Sequence, residues 1–471
     1  MRPRINVQPE IDFQPTNLRI TKAYFAKYQA ISQILDAHPE ILDAFHADLL
    51  RSDRGRAERF QRDPHHERFE YPSDTVLRIL LCQVIEGMSL REVVVRIDDS
   101  TVLRRFVRID AGQMIDFSHL CALKNVIQPR TWQTMNRSLA GAALAKGQID
   151  GAALRLDTTA VETNIHWPTD SSLLWDAYRV LERLIGQARE VDAVAVGERR
   201  AQLRVVKRLH VKITRKAAKD RPVQTLQSLY SELIEHGERI VEWSGDTAVA
   251  LVAGLESLRY PGLDHARAEV LVEQIAHYRE LTERVLDQTR RRVLEGQSVP
   301  NEEKLFSLFE PHTELLKRGK AGKDIEFGHM IQIQQVKQKF ITHYEVFPKR
   351  PAEPPLLERA LAQHRELFGC LPEQLAADKG YYEGQIVASL RKDIETVSIA
   401  KKGKRTPQET AREHDPLFRH AQAFRAGVEG TISFLKRVLG LARCFNKGWK
   451  NFQATVGATI FTHNLLILAR C

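Results

Sequence analysis

The sequence predicts an α/β fold: a mixed sheet with flanking helices, preceded by an all-α module and interrupted by an all-α insertion. Three observations carry this. Apolar residues alternating at the period of a strand occur at Ile149–Asp157 and not again until Phe327. The stretch between, 172–320, instead carries apolar residues at helical spacing, broken by turn residues such as Pro261-Gly262. Residues 71–148 also read as short helices joined by tight turns. The chain then divides into an N-terminal helical and linker segment (1–70), a helical module (71–148), an α/β core (149–171 with 321–471) and the insertion (172–320).

In order, residues 1–70 are mixed, with a charged run from Arg51 to Arg68, and suggest one or two helices and a linker. Pro72-Ser73-Asp74 starts a helix over Thr75–Glu86; Gly87 ends it, and Ser89 caps the next, through Arg91–Ile97. Asp98-Asp99-Ser100 opens another, Asp116 and Ser118 precede a short one, and Pro129 opens one reaching Lys146. The layout is helix-turn-helix-like, with a plain bundle as the alternative. In IDGAALRLD, Ala152, Leu154 and Leu156 alternate with Ala153, Arg155 and Asp157, and the strand is expected to end at that aspartate.

The insertion reads as helices Leu173–Arg189, Gly197–Lys219, Pro222–Glu238, Trp243–Leu258 and His265–Glu295. Phe327–Val336 and Phe340–Phe347 then read as a hairpin, followed by helix Glu353–Leu367 and strand Gln374–Ala377, which ends at Asp378. Helix Glu383–Arg391, a strand near Val397–Ala400, the basic loop Lys401–Arg405 and helix Leu417–Leu439 complete the core.

Composition narrows the partners. Among 471 residues, Lys and Arg number 70 against 60 acidic residues, a net charge of +10 that leans modestly toward a polyanion. The five cysteines form no CxxC pair, which argues against a zinc site or a disulfide framework and for a reducing cytoplasm. The N-terminus has no apolar signal core, and Ala454–Ala469, the most apolar stretch, holds Thr462, His463 and Asn464; it reads as a buried terminal helix and no membrane partner is expected.

Three carboxylates stand out by position. Asp157 and Asp378 each follow an apolar strand, and Glu429 lies within a helix, FRAGVEGTISFLKR. Two strand-end carboxylates and one helix carboxylate can converge over a sheet edge. Oxygen-only ligands suit Mg²⁺ or Mn²⁺ rather than zinc. Two such ions about 3.5–4 Å apart can serve phosphodiester chemistry. Arg425, Glu429 and Lys436 are four and seven residues apart and share a helix face, beside an apolar stripe of Phe424, Val428, Ile432 and Leu435. A solvated helix with ordinary ion pairs would show the same spacing.

LRLDTTAVETNIHWPTDSSLL (154–174) resembles the first-aspartate motif of insertion-sequence DDE transposases, particularly the ISNCY-type group. EKLFSLFEPHTELLKRGKAGKDIEFG (303–328) resembles that group's entry into its second strand, and ADKGYY its second-aspartate motif. The last core helix is similar to the Tyr-x2-Arg-x3-Glu-x6-Lys signature, with Arg425, Glu429 and Lys436 in place and Gln422 at the Tyr position. The resemblance runs from about Tyr71 to Ala469. It implies a ribonuclease-H-like core with Asp157, Asp378 and Glu429 as catalytic metal ligands. It also implies two Mg²⁺ ions (Mn²⁺ able to substitute) and phosphate contacts from Arg425 and Lys436. Fifty residues lie between Asp378 and Glu429, so the insertion falls between the first and second strands instead.

Lys379 is a further candidate phosphate contact. The basic run Arg204, Lys207, Arg208, Lys212, Arg215, Lys216, Lys219 and Arg221, uninterrupted by acid until Asp220, is a candidate DNA-backbone surface. His166 with Asp170 suggests either a metal or, more simply, a polar loop; His312, Lys317, Arg318 and Lys320 suggest a basic connector; Arg290-Arg291-Arg292 is a weaker DNA candidate. The expected activity is cleavage of duplex DNA at transposon inverted-repeat ends and strand transfer into target DNA. The active form would be a homodimer or larger on DNA, at the nucleoid of a bacterial cytoplasm. The rivals are a nuclease of the same fold that does not join, an inactive transposase-derived DNA-binding protein, and a helical scaffold.

Overall fold

The structure, a computed structural model, describes Arg4 and residues 17–60, 71–110, 112–217, 223–320 and 323–470. Lys219, Asp220, Arg221 and most of the charged run beyond Phe60 lie outside the described residues, as do the side chains of Arg318 and Lys320. The fold is mixed α/β. Two compact units form, one from 1–162 with 329–471 and the other from 163–328.

The first unit opens with α1 (Arg19–Ala37), α2 (Asp43–Phe60), α3 (Ser73–Ile85), α4 (Leu90–Asp99), α5 (Thr101–Val107), α6 (Phe117–Val126) and α7 (Pro129–Ala145). Side chains at the turns stop and restart the chain. Ser89 and Glu92 form a reciprocal capping box on α4, Ser100 caps α5 at the Leu103 amide, and Asp116 caps α6 at the Ser118 amide. Arg78, buried on α3, donates to Asp36 of α1 at 2.7 Å and to the Phe106 carbonyl of α5 at 3.2 Å, so its charge is paired.

Next comes β1 (Ala153–Thr163). It does not end at Asp157 as the sequence suggested but continues for six more residues. Thr158, Thr159 and Val161 are β-branched and favour extended backbone, and the Glu162 amide donates to the Ala442 carbonyl at 3.0 Å.

The second unit holds α8 (Asp170–Val191), α9 (Ala193–Val196), α10 (Leu203–Ala217), α11 (Val223–Glu256) and α12 (Leu263–Thr289), a π-helical turn at Arg290–Leu294, and β2 (Glu314–Lys320). Its core gathers Leu181, Leu184, Ile234, Ile275 and Val285. Helix α11 is continuous where the sequence suggested two helices. Its interior glycines do not break it: a Cβ at Gly237 would lie 2.8 Å from Leu286, so glycine there permits close helix approach. The segment read as a basic connector is a strand at Glu314–Lys320: β2 pairs antiparallel with the start of β3 (Lys323–Val336), Leu315 opposite Phe327. Lysines along an edge strand hid its alternation.

The first unit resumes with β4 (Ile341–Val346), α13 (Leu356–Phe368), β5 (Gln374–Ala377), α14 (Gly384–Asp393), β6 (Thr396–Ile399), α15 (Pro407–His414), α16 (Pro416–Arg437), β7 (Arg443–Cys444) and α17 (Trp449–Leu468). The sheet order is β2-β3-β1-β5-β6, with β4 on β3 and β7 on β1; β1, β5 and β6 run parallel, and β3 and β4 antiparallel. Helix α17 is buried along much of its length. Its polar residues close the edge of β4: the Asn464 carboxamide accepts from the Ile341 amide at 2.9 Å and donates to the Ile341 carbonyl at 2.7 Å. Among the described residues no helix is long and apolar enough to cross a membrane.

Candidate functional site

Sheet register brings the two aspartates together. Leu156 of β1 lies opposite Ala377 of β5, the last paired position on β5. The next residues are Asp157, within β1, and Asp378, just past the end of β5, so the two lie side by side on neighbouring parallel strands spaced about 4.8 Å apart. Side chains alternate along β1, so Asp157 shares a face with Arg155 and Thr159. Helix α16 packs against β5 and β6 and brings Glu429 to the same place.

Arg425 ties the group. One guanidinium nitrogen donates to Asp378 Oδ1 at 3.2 Å and another to Glu429 Oε1 at 3.0 Å. Glu429 and Asp378 are solvent-accessible, whereas only 14% of the Arg425 side chain is exposed. Asp157 faces the same guanidinium from β1. Burial pushes its carboxyl up to about 6, the Arg425 charge and the Thr158 amide at 2.7 Å oppose this, and the charges of Asp378 and Glu429 add to it. Burial disfavours the charged guanidinium of Arg425, but Glu429, Asp157 and Asp378 outweigh it and its pKa lies above the usual value.

Three carboxylates against one guanidinium leave a surplus of two negative charges when all ionise (3 − 1 = 2). Among the described residues, no three His, Cys, Asp or Glu side chains close around a single point. The acids are spread around Arg425 instead. The all-oxygen donor set and its surplus negative charge fit hard divalent cations such as Mg²⁺.

Helix α16 is fastened to the sheet by polar bonds. Gln422, at the position where the signature has Tyr, donates to the Ser398 carbonyl of β6 at 2.7 Å, and Ser398 Oγ donates to the Phe418 carbonyl at 2.9 Å. Lys436 lies seven residues beyond Glu429 and is partly buried; Lys379 is exposed beside Asp378. Tyr381 is buried, with its hydroxyl accepting from Gln332, whereas Tyr382 donates to Glu409 at 3.2 Å.

The sequence reading missed Glu353. It sits just before α13, and its Oε1 accepts from Thr158 Oγ1 at 2.9 Å. A Cβ at Gly380 would collide with its carboxylate, so the glycine of ADKGYY makes room for a fourth acid beside Asp378. That glycine was the available signal, but nothing in the chain pairs it with position 353.

The remaining candidates belong to the second unit. Arg204, Lys207, Arg208, Lys212 and Arg215 are exposed on α10, whose other face buries Val206, Leu209 and Ile213. No carboxylate among the described residues pairs with these five cations. Arg290, Arg291 and Arg292, by contrast, are occupied by Glu238, Glu303 with Asp287, and Asp170. Asp170 is therefore a buried counter-ion rather than part of a metal pair with His166, whose ring lies 3.5 Å from Asp176. Trp167 meets Phe327 edge-on and is 64% exposed. Comparison with family models, curated proteins and solved structures finds no match to this chain.

Proposed function

We propose that this chain is a DDE-type transposase that cuts DNA at the ends of a mobile element and joins those ends to target DNA. The observation that carries the reading is the gathering of Asp157, Asp378 and Glu429 around Arg425, from three elements far apart in sequence. A ribonuclease-H-like core is supported by the parallel set β1, β5 and β6 beside the antiparallel β3–β4 pair, with α13, α14 and α16 following β4, β5 and β6 in turn.

In this reading Asp157, Asp378 and Glu429 would hold two Mg²⁺ ions. When bound, such ions activate the attacking oxygen and stabilise the leaving one in phosphodiester exchange. The protein's own groups do the rest. Arg425, held between Asp378 and Glu429, would present a guanidinium nitrogen to a phosphate oxygen. Lys436 and Lys379 supply further positive charge to the DNA backbone. The exposed cations of α10 add contacts to phosphates without reading sequence. Water or a 3′-hydroxyl is the nucleophile, and no side chain forms a covalent bond to DNA.

The test is cleavage of duplex DNA carrying the sequences that flank the gene, with Mg²⁺, followed by strand transfer of pre-cut ends. Wild type is expected to do both, and Asp157→Ala, Asp378→Ala and Glu429→Ala neither. Wild-type cutting by Asp157→Ala refutes the assignment. Cutting without joining points to a nuclease of the same architecture.

A further inference from the structure

Beneath α16 lies a buried polar network that the catalytic reading does not use. Arg155, two residues before Asp157 on the same face of β1, is 4% exposed, and Gln335 of β3 is fully buried. Arg155 Nε donates to Gln335 Oε1 at 2.8 Å, and Nη2 donates to the same oxygen. Its Nη1 donates to the Phe424 carbonyl of α16 at 2.6 Å, and the guanidinium lies 4.7 Å from the Phe424 ring centre. Gln335 Nε2 donates to Thr431 Oγ1 on α16 at 3.0 Å and to the Lys339 carbonyl at 2.8 Å. Gly427, between these anchors, is where a Cβ would strike Arg155.

Two features separate this from ordinary packing. The described hydrogen bonds of Arg155 go to a carboxamide and a carbonyl, not to a carboxylate, so its charge is buried without an opposing one in direct contact. Its anchor points, Phe424 and Thr431, bracket Arg425 and Glu429 on the helix. We propose that Arg155 and Gln335 are positioning residues: they fix the rotation and height of α16 so that Arg425 and Glu429 face Asp157 and Asp378. This rests on the site reading above. The strand that carries the buried aspartate thereby also carries the group that aligns its partner helix.

The experiment compares Arg155→Met, Arg155→Lys and Gln335→Leu with a control, Asn464→Leu, which breaks an equally buried network in the same unit away from these acids. Each is assayed below its melting temperature. The measurements are the maximal Mg²⁺-dependent cleavage rate and KM on duplex carrying the gene's flanking DNA, and the rise in melting temperature produced by Mn²⁺ alone. Misplacing a catalytic group by about 1 Å costs roughly 100-fold in rate, so Arg155→Met and Gln335→Leu should lose about that much in kcat with KM within about threefold. Arg155→Lys, which keeps one donor toward Phe424, should recover part of the loss, and the Mn²⁺-induced stabilisation should shrink in step. The control should lose melting temperature but keep its kcat and its Mn²⁺ response. Equal kcat losses in control and network variants at matched destabilisation overturn the proposal while leaving the site reading intact. Absence of both cleavage and Mn²⁺ stabilisation in wild type overturns the two together.

Discussion

At the scale of single residues, Asp157 illustrates a conflict between stability and chemistry. Its folded pKa, about 6, lies above the ordinary value of 3.8, because burial and two neighbouring acids disfavour the charge. Well below 3.8, at about pH 3 or lower, the carboxyl is largely neutral in both folded and unfolded chains, and the penalty vanishes. Between 3.8 and 6 the unfolded chain ionises first, and above 6 the full penalty is present. At about 1.4 kcal/mol per pKa unit, and discounting for partial exposure, ionised Asp157 costs the fold about 2 kcal/mol at pH 8. Asp157→Asn should therefore melt higher than wild type at pH 8 in EDTA and converge with it by about pH 3, while losing cleavage. Thermal unfolding at the two pH values checks this; an unchanged or lower melting point at pH 8 removes the account of a strained acid.

At the scale of elements, α16 is the piece that must be right. Polar bonds hold it at Phe418 and Gln422 against β6, at Phe424 against β1 and at Thr431 against β3. Gly427 decides between two opposed effects. Alanine in a helix interior is favoured over glycine by about 1 kcal/mol. Here the added methyl meets the buried Arg155 guanidinium, which cannot swing into water. Displacing it breaks a hydrogen bond to a charged group worth about 1.5–3 kcal/mol, so Gly427→Ala should destabilise by about 0.5–2 kcal/mol net in denaturant titrations. Gly430, one turn on, has nothing within 4 Å of its Cβ position, so Gly430→Ala should stabilise instead. The opposite signs of these neighbouring changes are the measurement; like signs would mean Arg155 is not fixed under the helix.

At the scale of the whole molecule, the chain is organised as a continuous helical unit inserted into a discontinuous one. The 163–328 unit has its own apolar core on α8, α10, α11 and α12, with ion pairs such as Arg292–Asp170 and Arg259–Asp192 closed within it. Expressed alone, 163–328 should give a helical circular dichroism spectrum and a cooperative melt. A non-cooperative, unfolded fragment would show that this core depends on the rest of the chain. The first unit cannot be tested by truncation in the same way, because β1 and β5, which carry the two aspartates, come from opposite sides of the insertion.

Much of this was legible in the residue order. Helix starts at Ser89, Ser100 and Asp116 follow from capping chemistry acting within three residues, and strand β5 from a short apolar run next to Asp378. The face shared by Arg425 and Glu429 follows from helical period alone. These are local properties, set by neighbours along the backbone. The full length of β1, the edge strand β2, the proximity of Glu353 to Gly380 and the burial of Arg155 under α16 were not legible, because each depends on a tertiary contact or on a ladder formed with another strand, not on neighbours along the backbone. A sequence states which groups are present and what each local stretch prefers; long-range packing sets which of them lose water together, and it is burial beside Asp378 and Glu429 that raises the Asp157 carboxyl.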